Sequence, residues 1–149
     1  MAVRVIGLGQ RAAGDDGVGL CVLDALAANP PNGAELHQVA DPARLVELLQ
    51  GAERVVLVDA AVGAGPAGGV LALGLSELAE APLSPVSTHG ISVRQALELA
   101  RVLAGGALPE VLLLAVAIEP PTAHGTELSG PVAAAVPVAA AKVRELLAK

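Results

Sequence analysis

The chain has 149 residues, 54% of them hydrophobic and none aromatic, and a formal net charge of -6. That length fits a single domain over residues 1–149, able to bury about 70% of its unfolded surface. With no rings to stack on bases and no basic face for a phosphate backbone, the composition argues against a nucleic-acid partner.

The lone cysteine, Cys21, excludes an intramolecular disulfide and fits a reducing, cytoplasmic setting. The chain begins directly on a strand-like run, with no secretory signal pattern. The longest uncharged stretch, 60–76, is broken by five glycines and Pro66, too short for the ~20 apolar residues of a membrane helix. No membrane partner is expected.

Val3 to Ile6 reads as a buried strand, and Gly7 and Gly9 let the chain turn after it. Asp15 and Asp16 follow, where either could cap the next helix. Gly7-x-Gly9-x-x-Ala12 also matches a dinucleotide fingerprint. Its spacing argues otherwise, because Gly14-Asp15-Asp16-Gly17 puts two negative charges where a pyrophosphate would need a bare helix end. A cation suits this turn better than an anion.

Val18, Cys21, Val22, Ala25 and Leu26 recur at helical spacing, predicting a helix over 17–28 that ends at Asn29-Pro30-Pro31. Cys21 falls on its apolar stripe and reads as a small core residue. Ala34 to Val39 is a second strand, in which His37 has no evident partner. Asp41-Pro42 then supplies the cap and first residue of a helix to about Gln50. Val55 to Val58 is a third strand, and Asp59 stands at its carboxyl end before a small-residue loop over 60–67. Gly69 to Leu73 reads as an edge strand returning antiparallel.

A short helical turn over 76–81 and two prolines lead to Ser87-Thr88-His89-Gly90, just before a helix over 92–103 with Ser92 as its cap. A histidine facing the positive end of a helix dipole stays neutral, the form that ligates metal. Val111 to Ile118, the most apolar strand, is expected to be central and ends at Glu119. A last helix runs over 131–147, interrupted or kinked at Pro137. Strands alternating with helices define a three-layer α/β domain with a mostly parallel sheet. Asp16, Asp41, Asp59 and Glu119 all fall at the carboxyl edge of such a sheet, where ligands bind.

Two carboxylates and an imidazole suit a divalent transition metal. Without a cation, two carboxylates 4 Å apart repel by about 4 kcal/mol at an effective dielectric of 20. No HExxH, GxSxG or Walker lysine loop is present. His124-Gly125-Thr126 faintly matches the histidine block of subtilisin-like proteases, but no serine stands in that family's context.

Gly7-Leu8-Gly9, Gly14-Asp15-Asp16-Gly17-Val18-Gly19, Val58-Asp59-Ala60 and Ser87-Thr88-His89 resemble successive blocks of the nickel-iron hydrogenase maturation proteases, with weaker similarity at Ile118-Glu119-Pro120 and Leu128-Ser129. Gln10 replaces the asparagine usual after the GxG turn, and Pro42-Ala43-Arg44 replaces a frequent Gly-Gly-Thr. The resemblance implies a three-layer αβα sandwich, phosphorylase/hydrolase-like, with strand order 2-1-3-5-4 and strand 4 antiparallel. It implies an endopeptidase that removes the C-terminal extension of a hydrogenase large subunit precursor. It places both the metal-binding and catalytic roles at Asp16, Asp59 and His89, with nickel supplied by the substrate rather than held by the free enzyme. Two alternatives are a non-catalytic metal-binding or chaperone module and a dinucleotide-binding oxidoreductase.

Overall fold

The computed structural model describes residues 2–74, 77, 93–120 and 127–148, without the side chains of residues 11–13. Its elements are β1 (Ala2–Leu8), a 3-10 turn (Arg11–Gly17), α1 (Val18–Ala27), β2 (Ala34–Val39), a 3-10 turn (Pro42–Arg44) leading into α2 (Leu45–Leu48), β3 (Ala52–Val62), β4 (Val70–Gly74), α3 (Val93–Leu103), β5 (Glu110–Ile118) and α4 (Gly130–Leu147). The sheet order is β2-β1-β3-β5-β4. Every pairing is parallel except β4 with β5. The expected fold class and strand order are therefore observed. β5 is interior as anticipated from its composition, but the middle position belongs to β3.

Alternation along the strands sorts the apolar residues onto two faces. Val5, Val56, Val58, Ala60, Leu114, Val116 and Ile118 pack with α1 and α4. Ile6, Val55, Leu57, Ala61, Leu113 and Ala115 pack with Leu45 and Leu49 around α2 and with Ala96, Leu97 and Ala100 of α3. Without aromatic rings, the layers close by bringing small side chains together, as Ala135, Ala139 and Ala140 of α4 do.

Several elements differ from their sequence pattern. The chain passes through a 3-10 turn before α1, whose N-cap is Gly17 with no side-chain bond, so neither Asp15 nor Asp16 caps that helix. Cys21 is only half-buried, because Leu20 and Leu23 take the inner positions of α1. His37 does have a partner: its Nε2 lies 3.1 Å from Glu35 Oε1, two residues away on the same strand face. Asp41 caps the following turn as expected, accepting the Ala43 N–H at 2.9 Å, although α2 itself is one turn long. α4 is continuous through Pro137, whose exposed position puts the missing N–H on the solvent side. The predicted turn over 76–81, the Ser92 cap and His124 lie outside the described residues, apart from Glu77.

Candidate active site

The site forms where β1 stops and β3 does not. β1 pairs with β3 as far as Gly7 opposite Val58, and the chain then turns away at Gly9. β3 continues to Val62 on its other side, with Asp59 opposite Ala115 of β5. Asp59 is thus not the end of its strand, as its sequence suggested. It is the first residue beyond the reach of β1, and the ladder with β5 holds its backbone.

The vacated edge of β3 is covered by the start of α1, and the glycines of the motif make that approach possible. A Cβ on Gly19 would stand 2.4 Å from the carbonyl oxygens of both Leu8 and Val58. One on Gly7 would stand 2.6 Å from Gly19 O and from the Leu23 side chain. Gly9 has φ +150°, and its missing side chain leaves room for the Asp16 carbonyl, 2.2 Å from where a Cβ would be. The space at these glycines is taken up by the protein's own backbone. That speaks against a dinucleotide site, where the second glycine lets the backbone approach a pyrophosphate.

Close packing of α1 on the Val58 carbonyl brings Asp16 near enough for its charge to act on Asp59. Asp16 Oδ2 accepts the Gln10 N–H at 3.1 Å, and Asp59 Oδ1 accepts the Ala60 N–H at 2.8 Å. Among the described residues, the other oxygen of each carboxylate accepts no hydrogen bond. Burial raises the Asp16 pKa, opposed by the Gln10 N–H. For Asp59, burial first and the charge of Asp16 second push the value up to about 8, against the Ala60 N–H. Two carboxylates with elevated pKa values, each with one oxygen hydrogen-bonded and the other unengaged among the described residues, are a pair whose repulsion a cation would relieve.

The remaining acids behave differently. Asp41 is occupied by its turn, and Glu119 is exposed just past β5. Asp15 has both oxygens engaged: its Oδ1 accepts the Ser129 N–H at 2.7 Å and its Oδ2 the Ser129 hydroxyl at 2.8 Å. His89 lies outside the described residues, and among those described no group of three metal-ligating side chains is found.

Gln10, which stands where an asparagine is usual, has a role that its replacement in the motif does not itself define. The bond that orients Asp16 uses the backbone N–H, which any non-proline residue supplies, while the Gln10 amide reaches Ala40 O at 3.2 Å and ties the first loop to the one after β2. Its position directly after the GxG turn was the available signal. For Ser129, which lies 114 residues from Asp15, nothing local could have pointed to the contact.

A five-stranded, mostly parallel sheet in the order β2-β1-β3-β5-β4, with helices on both faces, is the fold of the solved hydrogenase maturation proteases. The hydrogenase maturation protease family model matches residues 40–146, and the chain belongs to that family. The solved structure of the hydrogenase maturating endopeptidase HybD from E. coli is similar, with TM-score 0.76 and 24% identity over 99% of this chain and 92% of that one. The [NiFe] hydrogenase maturation protease HybD from Thermococcus kodakarensis shares 26% identity over all of both chains, with TM-score 0.72. A hydrogenase 2 maturation peptidase from a Thaumarchaeota archaeon shares 27% over 99% of this chain and 98% of its own, with TM-score 0.71. No curated protein matches the chain by sequence.

Proposed function

We propose that this hydrogenase maturation protease removes the C-terminal extension of a nickel-loaded hydrogenase large subunit, and that Asp16, Asp59 and His89 recognise the nickel. The observation that carries this reading is the Asp16 and Asp59 pair, built at the sheet edge at an electrostatic cost that a divalent cation relieves. Asp59 shares strand parity with Val55, Leu57 and Ala61, on the face covered by α2 and α3. The chain enters α3 at Val93, shortly after His89, so the histidine precedes a helix on the same face of the sheet as Asp59. The nickel belongs to the substrate, which makes the site a detector of the loaded precursor. A cytoplasmic location fits this role, and no helix among the described residues is long and apolar enough to cross a membrane.

The experiment is cleavage of a large-subunit precursor followed by gel shift. Nickel-loaded precursor is cut by the wild type, while nickel-free precursor is left intact. Asp16→Ala, Asp59→Ala and His89→Ala each abolish cutting without unfolding the protein, since loss of one of three ligands opens the coordination set. Cleavage by His89→Ala at the wild-type rate, or equal processing of nickel-free precursor, defeats the proposal.

A further inference from the structure

The two adjacent acids of the motif could in principle exchange roles, and the geometry separates them. Asp15 has both carboxylate oxygens engaged by Ser129, one by its N–H and one by its hydroxyl. Asp16 has one oxygen held by a backbone amide and the other unengaged among the described residues. Ser129 is the N-cap residue of α4, yet its hydroxyl makes no bond to its own helix. The Asp15 carboxylate therefore stands at the positive end of an 18-residue helix, where a negative charge is favoured and the bonds are charge-assisted. The same helix start is braced from a third side: a Cβ on Gly68, at φ +93°, would stand 2.7 Å from the Pro131 carbonyl oxygen.

We infer that Asp15 is a positioning residue, a clasp that fastens the loop bearing Asp16 to the first turn of α4 and so fixes Asp16 near Asp59. The inference rests on the metal-recognition reading above and extends it to a residue that touches no metal. The loop between Gly9 and Gly17 has its ends set by the glycine contacts, but within it the 3-10 turn has no side-chain cap of its own. Asp15 supplies the missing constraint from outside the turn. Both bonds go to one residue 114 positions away, so they tie the active-site loop to the start of the C-terminal helix.

The test is calorimetric titration of cadmium ion into the free protein, with thermal melting in parallel. Ser129→Ala removes one of the two bonds and weakens cadmium affinity about three- to tenfold, while Asp15→Ala removes both and weakens it further. Asp15→Asn keeps an acceptor for the Ser129 N–H and offers its amide to the hydroxyl oxygen, so it restores affinity to within about threefold of wild type. The double variant Asp15→Ala/Ser129→Ala is no weaker than Asp15→Ala alone, because the two residues act through one contact. Asp15→Asn as damaging as Asp15→Ala would mean that the negative charge itself serves the cation, and would overturn the clasp. So would a Ser129→Ala that lowers the melting temperature without moving the affinity. Asp16→Ala separates the two levels: wild-type cadmium binding in that variant removes the site assignment and the clasp together, whereas lost binding there with any of the preceding reversals removes the clasp alone.

Discussion

β1 and β3 are neighbours in one sheet and hold their acids by opposite means. β1 ends at Leu8, and Asp16 beyond it is placed by close contacts at glycines, by the Gln10 N–H of its own loop, and by the bonds of Asp15 to Ser129 from outside that loop. β3 runs on past Asp59 to Val62, and the parallel ladder to β5 fixes the residue before any side chain is considered. The first arrangement depends on the absence of side chains, the second on backbone pairing. Changes at the β1 end should therefore act through packing, and changes at Asp59 through charge.

Gly19→Ala should have the largest effect on stability. Its Cβ would meet two backbone carbonyl oxygens at 2.4 Å, neither of which can move without shifting β1 or β3. Overpacking of this kind costs about 3 kcal/mol, which for a domain of this size lowers the melting temperature by roughly 10 °C. Gly51→Ala is the control, with φ +74° but nothing within 4 Å of the added Cβ. It carries only the left-handed backbone cost of about 1–2 kcal/mol. Equal melting temperatures for the two variants would show that α1 does not press on the strand ends.

Asp59→Asn tests the other half of the comparison. The folded pKa of Asp59 is raised from 3.8 to about 8, so between those values the folded state binds more protons than the unfolded one. Stability contributed by this group is then lost as pH rises, beginning near the unfolded value and levelling off above about pH 8. Asparagine keeps the acceptor for the Ala60 N–H and cannot ionise. The melting temperature of Asp59→Asn relative to wild type should be nearly level at pH 4 and rise steadily to a plateau above pH 8, in a protein that no longer processes precursor. A difference independent of pH would mean that the carboxyl is not held in its protonated form. In the wild type, cation affinity should climb over the same interval, because metal competes with the proton.

What could be read from the sequence follows the same division. The glycine turn, the acids after it, the antiparallel edge strand and the cap at Asp41 were legible, because each is a local pattern with a local cause. The length of β3 was not: Ala60, Ala61 and Val62 look like the start of a small-residue loop and become strand only because Val116 to Ile118 of β5 offer them ladder partners. Either Asp15 or Asp16 could cap the helix that follows them in the sequence, and neither does, for a related reason. Asp15 does serve a helix N-terminus, but that of α4 rather than of the helix it precedes. Cys21 matched the apolar stripe of α1, yet the glycine-led approach to the sheet turns Leu20 and Leu23 inward instead.

The smallest effect is expected at Asp41, the acid at the same sheet edge whose structural role is complete without a ligand. Its Oδ1 accepts the Ala43 N–H at 2.9 Å, and the Arg44 N–H reaches its carbonyl at 3.0 Å, so the side chain closes a turn that the backbone already favours. Loss of such a cap costs about 1 kcal/mol, or roughly 3 °C for a domain of this size. Asp41→Asn should recover most of that loss, because an amide oxygen accepts the same bond, and neither variant should alter the affinity for cadmium. A fall in affinity with Asp41→Asn, despite a restored melting temperature, would bring a third acid into the electrostatics of the site and end the contrast between carboxylates that hold the fold and carboxylates that strain it.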